Sequence, residues 1–446
     1  MTDSNKSEYT RRSFLGLTAK AGTAAATASL LEPFLRTTGA YAATTRASVL
    51  QNTKPSLTVL NNLTDPGEIK ALQETVTDYD AAATSTGVAS LNTVAAAVFV
   101  PQLPTYLTEA NPPSAILYWG GHTTSQFGDK GYLLDLSSIW DTQLAHYSQA
   151  MKTLATDDRG RQVFVPQSYY WWGMFYRKSV FKKLGVTPPT TWSQLIDVCE
   201  KIQKQNVHPF VTAAAPPEPW PFVGWFDYLD LRLNGAKFHL DLLHGKHSFD
   251  SPQVKKVFVY LAQILRYFDP NSGSYAYQDA ATPLVQGTSA MYLMGALVTG
   301  LVPSNILDDL DFFRFPTIDS SIPDAEEAPT NGYIAPARVA YPSQAKNLLA
   351  FLVSDKAQEI YTGVSGSSAF PVSPTARVSL TPLEKKGLAM LQQAKAITQF
   401  FNRDSSDALQ TTNYNAMEAF WESPGNIDSM LATWQAAAIK VFQEGV

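Results

Sequence analysis

Leu57-Thr58-Val59-Leu60 alternates apolar and polar positions and closes on Asn61-Asn62, which predicts a first strand and a turn. Asp65-Pro66-Gly67-Glu68 follows as a helix start, with Asp65 as N-cap and Pro66 in the first turn, and the helix runs through Tyr79. Residues 88–100 predict a second strand and 104–110 a short helix. The apolar run Ala115-Ile116-Leu117-Tyr118-Trp119 predicts a buried strand that Gly120-Gly121 ends. Strand and helix in this alternation describe a parallel α/β lobe.

The middle of the chain changes style. Strands at 163–166 and 173–176 flank the aromatic cluster Tyr169-Tyr170-Trp171-Trp172. A short helix at 181–184 stops at Gly185, and Pro188-Pro189 leads into a helix that Thr191 caps and that runs to Gln205. Later helices are predicted at 220–233, 252–267, 345–353, 382–400, 413–421 and 427–442, and strands at 290–293, 311–315 and 332–334. No internal repeat is visible.

Residues 1–42 do not read as part of the fold. Arg11-Arg12-Ser13-Phe14-Leu15 precedes a weakly apolar stretch rich in Ala and Thr, then Ala40-Tyr41-Ala42, a small-x-small cleavage pattern. This order predicts a twin-arginine export signal over 1–42 and a flexible lead-in over 43–55. Export implies a protein beyond the inner membrane, most simply in the periplasm. The residue directly after Ala42 is Ala43 rather than a cysteine, so a lipid anchor is not expected.

Composition narrows the classes further. In 446 residues, 45% are hydrophobic and 16% charged, enough for a large core and against an extended disordered chain. The net charge of −5 and the lack of a basic stretch speak against nucleic-acid binding. Cys199 stands alone, which rules out an internal disulfide and any thiolate zinc cluster.

From about Ser56 to the C-terminus the chain resembles a known family, first recognisable at Val163. Val163-Phe164-Val165-Pro166, Gly173-Met174-Phe175-Tyr176-Arg177-Lys178-Ser179 and Pro188-Pro189-Thr190-Thr191-Trp192 resemble the extracellular solute-binding proteins of ABC importers, in their sugar-binding, maltose-binding-protein-like branch. Gln286-Gly287-Thr288-Ser289-Ala290-Met291, Phe312-Phe313-Arg314-Phe315-Pro316 and Asn331-Gly332-Tyr333 resemble later segments of the same family. One departure is Arg177, where the family usually carries Asn. The resemblance implies an α/β, two-lobed periplasmic-binding-protein fold with a hinge and an interlobe cleft. It implies lobe one over 56–165 and 310–363 and lobe two over 166–309 and 364–446. It also implies a monomer that binds a mono- or oligosaccharide and delivers it to permease subunits in the inner membrane.

A sugar has a hydroxyl rim and apolar C–H faces, so its site needs flat aromatic platforms edged by polar groups. Candidates on turns and strand ends are Asn61, Asn62, Trp119, Gly120, His122, Tyr169, Tyr170 and Trp171, with Glu218, Trp220 and Trp421 later in the chain. By the resemblance, Trp119 and Trp220 stack on the ligand while Asn61 and Glu218 make polar contacts. Gly295-Ala296-Leu297 lacks a tryptophan that the family often carries, and Trp421 is the candidate substitute. Trp192 reads as structural.

Two other classes compete. Tyr169 and Tyr170, with His122, are candidate ligands for ferric ion in a different kind of binding protein. A secreted enzyme, such as a polysaccharide lyase or a hydrolase using a metal at His239, His244 and His247, is the third reading. Against it, Gly245 and the resemblance place those histidines on a surface hairpin, and Glu326-Glu327 reads as a solvated loop. Gly363-Val364-Ser365-Gly366 is not a nucleophile elbow, and no phosphate loop or His-Glu-x-x-His occurs. The expectation is a binding protein with no cofactor and no catalytic residues.

Overall fold

Short segments, most of them buried nearly throughout, form the strands: β1 (Ser56–Asn61), β2 (Val88–Thr93), β3 (Ala115–Trp119), β4 (Val165–Tyr169), β5 (Trp172–Arg177) and β6 (His208–Val211). The later strands are β7 (Ser289–Gly295), β8 (Leu310–Phe313), β9 (Ala325–Glu327), β10 (Thr330–Ile334), β11 (Phe370–Pro371) and β12 (Ala396–Thr398). The structure, a computed structural model, describes residues 54–444 apart from 218, 365 and 367. The export signal and nearly all of the lead-in therefore lie outside the described residues.

Two main sheets organise the chain. The first runs β11-β4-β10-β3-β1-β2, with β1 parallel to β2 and β3, and β10 antiparallel to β3 and β4. The second runs β6-β7-β5-β8, with β5 antiparallel to both its neighbours. Strands β9 and β12 pair as a small parallel ribbon. Each main sheet has its own buried core: Leu57, Val59 and Ile116 belong to one, Phe175, Met291 and Leu293 to the other. This is the two-lobed α/β architecture expected from the sequence.

The expected crossings near residues 165 and 310 differ from the pairing. Val165–Tyr169 is held in the first sheet by β10 and β11, and Leu310–Phe313 lies in the second sheet beside β5. The chain changes sheets at Tyr170-Trp171, returns through the segment after β8, and leaves again after β11.

Three elements also differ from the sequence expectation. The segment expected as one strand over 88–100 ends its strand at Thr93 and becomes the helix Ala96–Thr108. Its valines suggested a strand, but Phe99, Leu103 and Leu107 recur every four residues and are buried, the spacing of a helix face. The helix expected over 382–400 stops at Gln393, and β12 follows it. The histidine-rich segment is no hairpin: His239 lies in the helix Gly235–Leu243, and His244 to His247 lie in the turn that follows it, where Gly245 is expected to place a turn.

Candidate functional site

A cavity of about 250 Å³ is lined by both lobes. On the first lobe, the turn after β1 brings Asn62 to its wall, and the helix Pro66–Ala81 begins there. Asp65 occupies the N-cap position, yet its carboxylate does not cap the helix. It accepts hydrogen bonds from the Tyr277 hydroxyl, at 3.3 and 3.2 Å. That hydroxyl also lies 3.2 Å from Thr64 Oγ1, and the Gln278 amide donates to Thr64 at 3.5 Å. Tyr277 opens the helix Tyr277–Gln286 that packs on β7, so these bonds bridge the two lobes. Burial raises the pKa of Asp65, and the Tyr277 hydrogen bond only partly offsets it. Glu68, in the same first helical turn, accepts from the Tyr361 hydroxyl at 3.2 Å. At the end of β3, Tyr118 and Trp119 stack with centroids 4.2 Å apart and 25° between planes.

The crossing strand obeys the two-residue period of extended chain. Ser168, Tyr170 and Trp172 line the cavity. Trp171 points the other way, fully buried and stacked on Phe370 at 5.2 Å and 25°. The expectation that Trp171 meets the ligand is corrected: it belongs to the core. Tyr169 likewise packs on Phe370, at 5.3 Å. Trp172, which was not among the candidates, stacks on Phe400 (5.2 Å, 22°) and meets the edge of Trp220 at 5.9 Å. A Cβ on Gly224 would come within 2.6 Å of the Trp172 ring, so that glycine makes room for it. Trp220 opens the helix Trp220–Leu233 and also meets Tyr277, at 5.3 Å.

Arg403 is the largest feature that sequence reasoning missed. It stands in the loop between β12 and the helix Asp407–Glu422. Its guanidinium donates to the Thr330 carbonyl (3.0 Å), to Asn331 Oδ1 (3.0 Å) and to the Tyr170 hydroxyl (3.4 Å). It also lies 5.5 Å from the Trp119 ring centre and 5.9 Å from that of Tyr170, within reach of cation–π attraction. Burial lowers its pKa from the usual arginine value. A guanidinium so ligated still carries its charge and holds two aromatic walls and the strand β10 together.

Asn62, Trp119, Tyr170 and Trp220 are thus brought together at one cavity. The other candidates are placed elsewhere. Asn61 is consumed by its turn: its amide donates to the Asn92 carbonyl at 3.3 Å, and its oxygen accepts from the Leu63 N–H and the Thr93 hydroxyl. The Gly120 N–H donates to Thr330, and its α-carbon faces Phe164 and Leu154. His122 meets His244 at 4.5 Å, away from the cavity wall. Trp421 packs edge-on against Phe222 and Phe268. Glu218 lies outside the described residues.

The groups behind the competing classes do not converge. His239 is buried with Nδ1 2.9 Å from Asp230, His244 faces His122, and His247 stacks on Phe238. Burial opposes a proton on His239, but the Asp230 hydrogen bond and the charge of Asp227 outweigh it and raise its pKa. Tyr170 is held by Arg403, and Tyr169 turns to Phe370. Glu326 and Glu327, expected in solvent, are buried, and Glu326 pairs with Arg232 at 2.6 Å and Arg314 at 3.0 Å. Among the described residues, no group of three or more His, Cys, Asp or Glu is placed to hold a metal ion.

Residues 65–359 match the sequence profile of bacterial extracellular solute-binding proteins. Two uncharacterised ABC-transporter extracellular-binding proteins of Pyrococcus horikoshii are similar to this chain. One is 22% identical over 69% of this chain and 71% of its own length, the other 24% identical over 74% and 76%. Among solved structures, the bacterial solute receptor AcbH, described as exclusive for β-D-galactopyranose, superposes with a TM-score of 0.82. It is 25% identical and covered in full by 87% of this chain. A chitin-oligosaccharide-binding protein superposes with a TM-score of 0.78 at 18% identity, over 86% of this chain and 98% of that one.

Proposed function

The chain belongs to the bacterial extracellular solute-binding proteins, the solute-binding components of ABC transporters, and on that premise we propose that it binds a carbohydrate between its lobes and hands it to a membrane permease. The observation that carries this reading is the chemistry of the cavity wall. Trp119 and Trp220 offer aromatic faces, with Trp172 buried behind them, while Asn62, Asp65 and Asn331 offer edges of donors and acceptors. Indoles complement the C–H faces of a sugar, and amides and carboxylates complement its rim. The likeness to AcbH supports the same class of ligand. The protein works in the periplasm as a monomer, is exported folded by the twin-arginine route, and leaves its ligand chemically unchanged.

Titration of the purified chain with a panel of saccharides tests this. One member should shift the tryptophan fluorescence, and the double variant Trp119→Ala, Trp220→Ala should lose that binding at least about 100-fold while keeping its fold by circular dichroism. Undiminished affinity in the double variant would show that these indoles are not the platforms. Stoichiometric iron in the purified protein would instead favour the ferric reading.

A further inference from the structure

The size and charge of the cavity narrow the ligand beyond the carbohydrate class, on which this inference rests. A protein cavity of about 150 Å³ accommodates benzene. On that scale, the roughly 250 Å³ here has space for about ten non-hydrogen atoms, close to one sugar ring with its hydroxyls and about half of a disaccharide. On one side the cavity is bounded by contacts between the lobes. Tyr277 reaches across the lobes to Asp65 and Thr64, and its ring stands against Trp220. A second ring on this side would have to break that bridge.

The charges point the same way. Among the described residues, Asp65, Glu68 and Arg403 are the carboxylate and guanidinium groups lining the cavity. The guanidinium is already committed to Thr330, Asn331 and Tyr170. Two carboxylates against one engaged cation oppose a uronate or a sugar phosphate, because juxtaposed like charges repel. We infer that the ligand is a single uncharged sugar ring, and that the Tyr277 ring, which stands against Trp220 and is tethered to Asp65 and Thr64, is the wall that excludes a second ring.

Calorimetric titration of the full chain with galactose, glucose, xylose, lactose, maltose, cellobiose and galacturonate tests both parts. One neutral monosaccharide is expected to bind at least about 100-fold more tightly than any disaccharide or the uronate. Tyr277→Ala should raise affinity for a disaccharide about tenfold or more, whereas Tyr277→Phe, which keeps the ring, should gain much less. A disaccharide or the uronate binding the unaltered chain as tightly as any monosaccharide would overturn the inference and leave the carbohydrate reading standing. Disaccharides still rejected by Tyr277→Ala would remove Tyr277 as the wall. Binding of no saccharide at all would sink the carbohydrate reading together with the inference.

Discussion

Asp407 begins the helix Asp407–Glu422 with one carboxylate oxygen buried and unpartnered, and burial pushes its pKa up to about 7 against the attraction of Lys130. A carboxylate at a helix N-terminus is ordinarily favoured in its charged form, so desolvation has won here. The sign follows from linkage. The folded state holds this proton more tightly than the unfolded chain, whose carboxyl titrates near 3.8. Its stabilising contribution is complete below that value and is lost as pH rises through about 7. His122 acts in the opposite sense, since burial first, and then the facing His244, lower its pKa to about 4. Its neutral form is favoured in the fold, and that contribution is lost as pH falls from its ordinary 6.5 through about 4. Asp407→Asn should therefore stabilise the protein by about 4 kcal/mol at pH 8 and by well under about 1 kcal/mol at pH 4, measured by urea unfolding. Equal shifts at both pH values would show that the charge on Asp407 is not the cause.

The loop carrying Asn402 and Arg403 is held from below by the start of the helix His122–Asp129. The Thr123 N–H donates to the Arg403 carbonyl at 3.2 Å, and its hydroxyl donates to the Asn402 carbonyl at 2.8 Å. This close approach requires Gly121, whose φ is +131° and whose missing Cβ would stand 2.4 Å from the Arg403 oxygen. Gly121→Ala should cost about 1–3 kcal/mol of stability and weaken sugar binding about tenfold, because it displaces a cavity wall. Gly131→Ala is the control: its φ is also positive, at +76°, but no atom lies within 4 Å of the added carbon. If both variants bind sugar equally well, the helix start does not support the site. The order of strands and helices was legible because each element announces itself over a few residues, through alternation, caps and glycine stops. So was half of the aromatic cluster, and period two along 168–172 would also have selected Trp172 over Trp171. Arg403 was not legible, because its partner Thr330 is 73 positions away and no local pattern pairs them. Asp65 was legible as an N-cap but not as a bridge, since tertiary contact with Tyr277 took the carboxylate from the helix.

At the scale of the molecule, the lobes are joined by three passages of chain and bridged across the cavity by Tyr277. A hydrogen bond to a charged acceptor is worth about 1.5–3 kcal/mol, less than the roughly 5.5 kcal/mol needed to turn a 1:99 balance of closed and open forms into 99:1. The bridge alone is therefore too weak to hold the protein closed, and contacts from the ligand to both lobes must supply the rest. Small-angle scattering of the full chain should accordingly show a larger radius of gyration without sugar and a smaller one at saturation. Tyr277→Phe removes the donor but keeps the ring, so it should weaken affinity about tenfold and still contract fully at saturating sugar. A chain equally contracted with and without sugar would mean that closure costs nothing and that ligand binding does not drive it. Tyr277→Phe with unchanged affinity would mean that the bridge forms in the open state too, and so contributes equally to both.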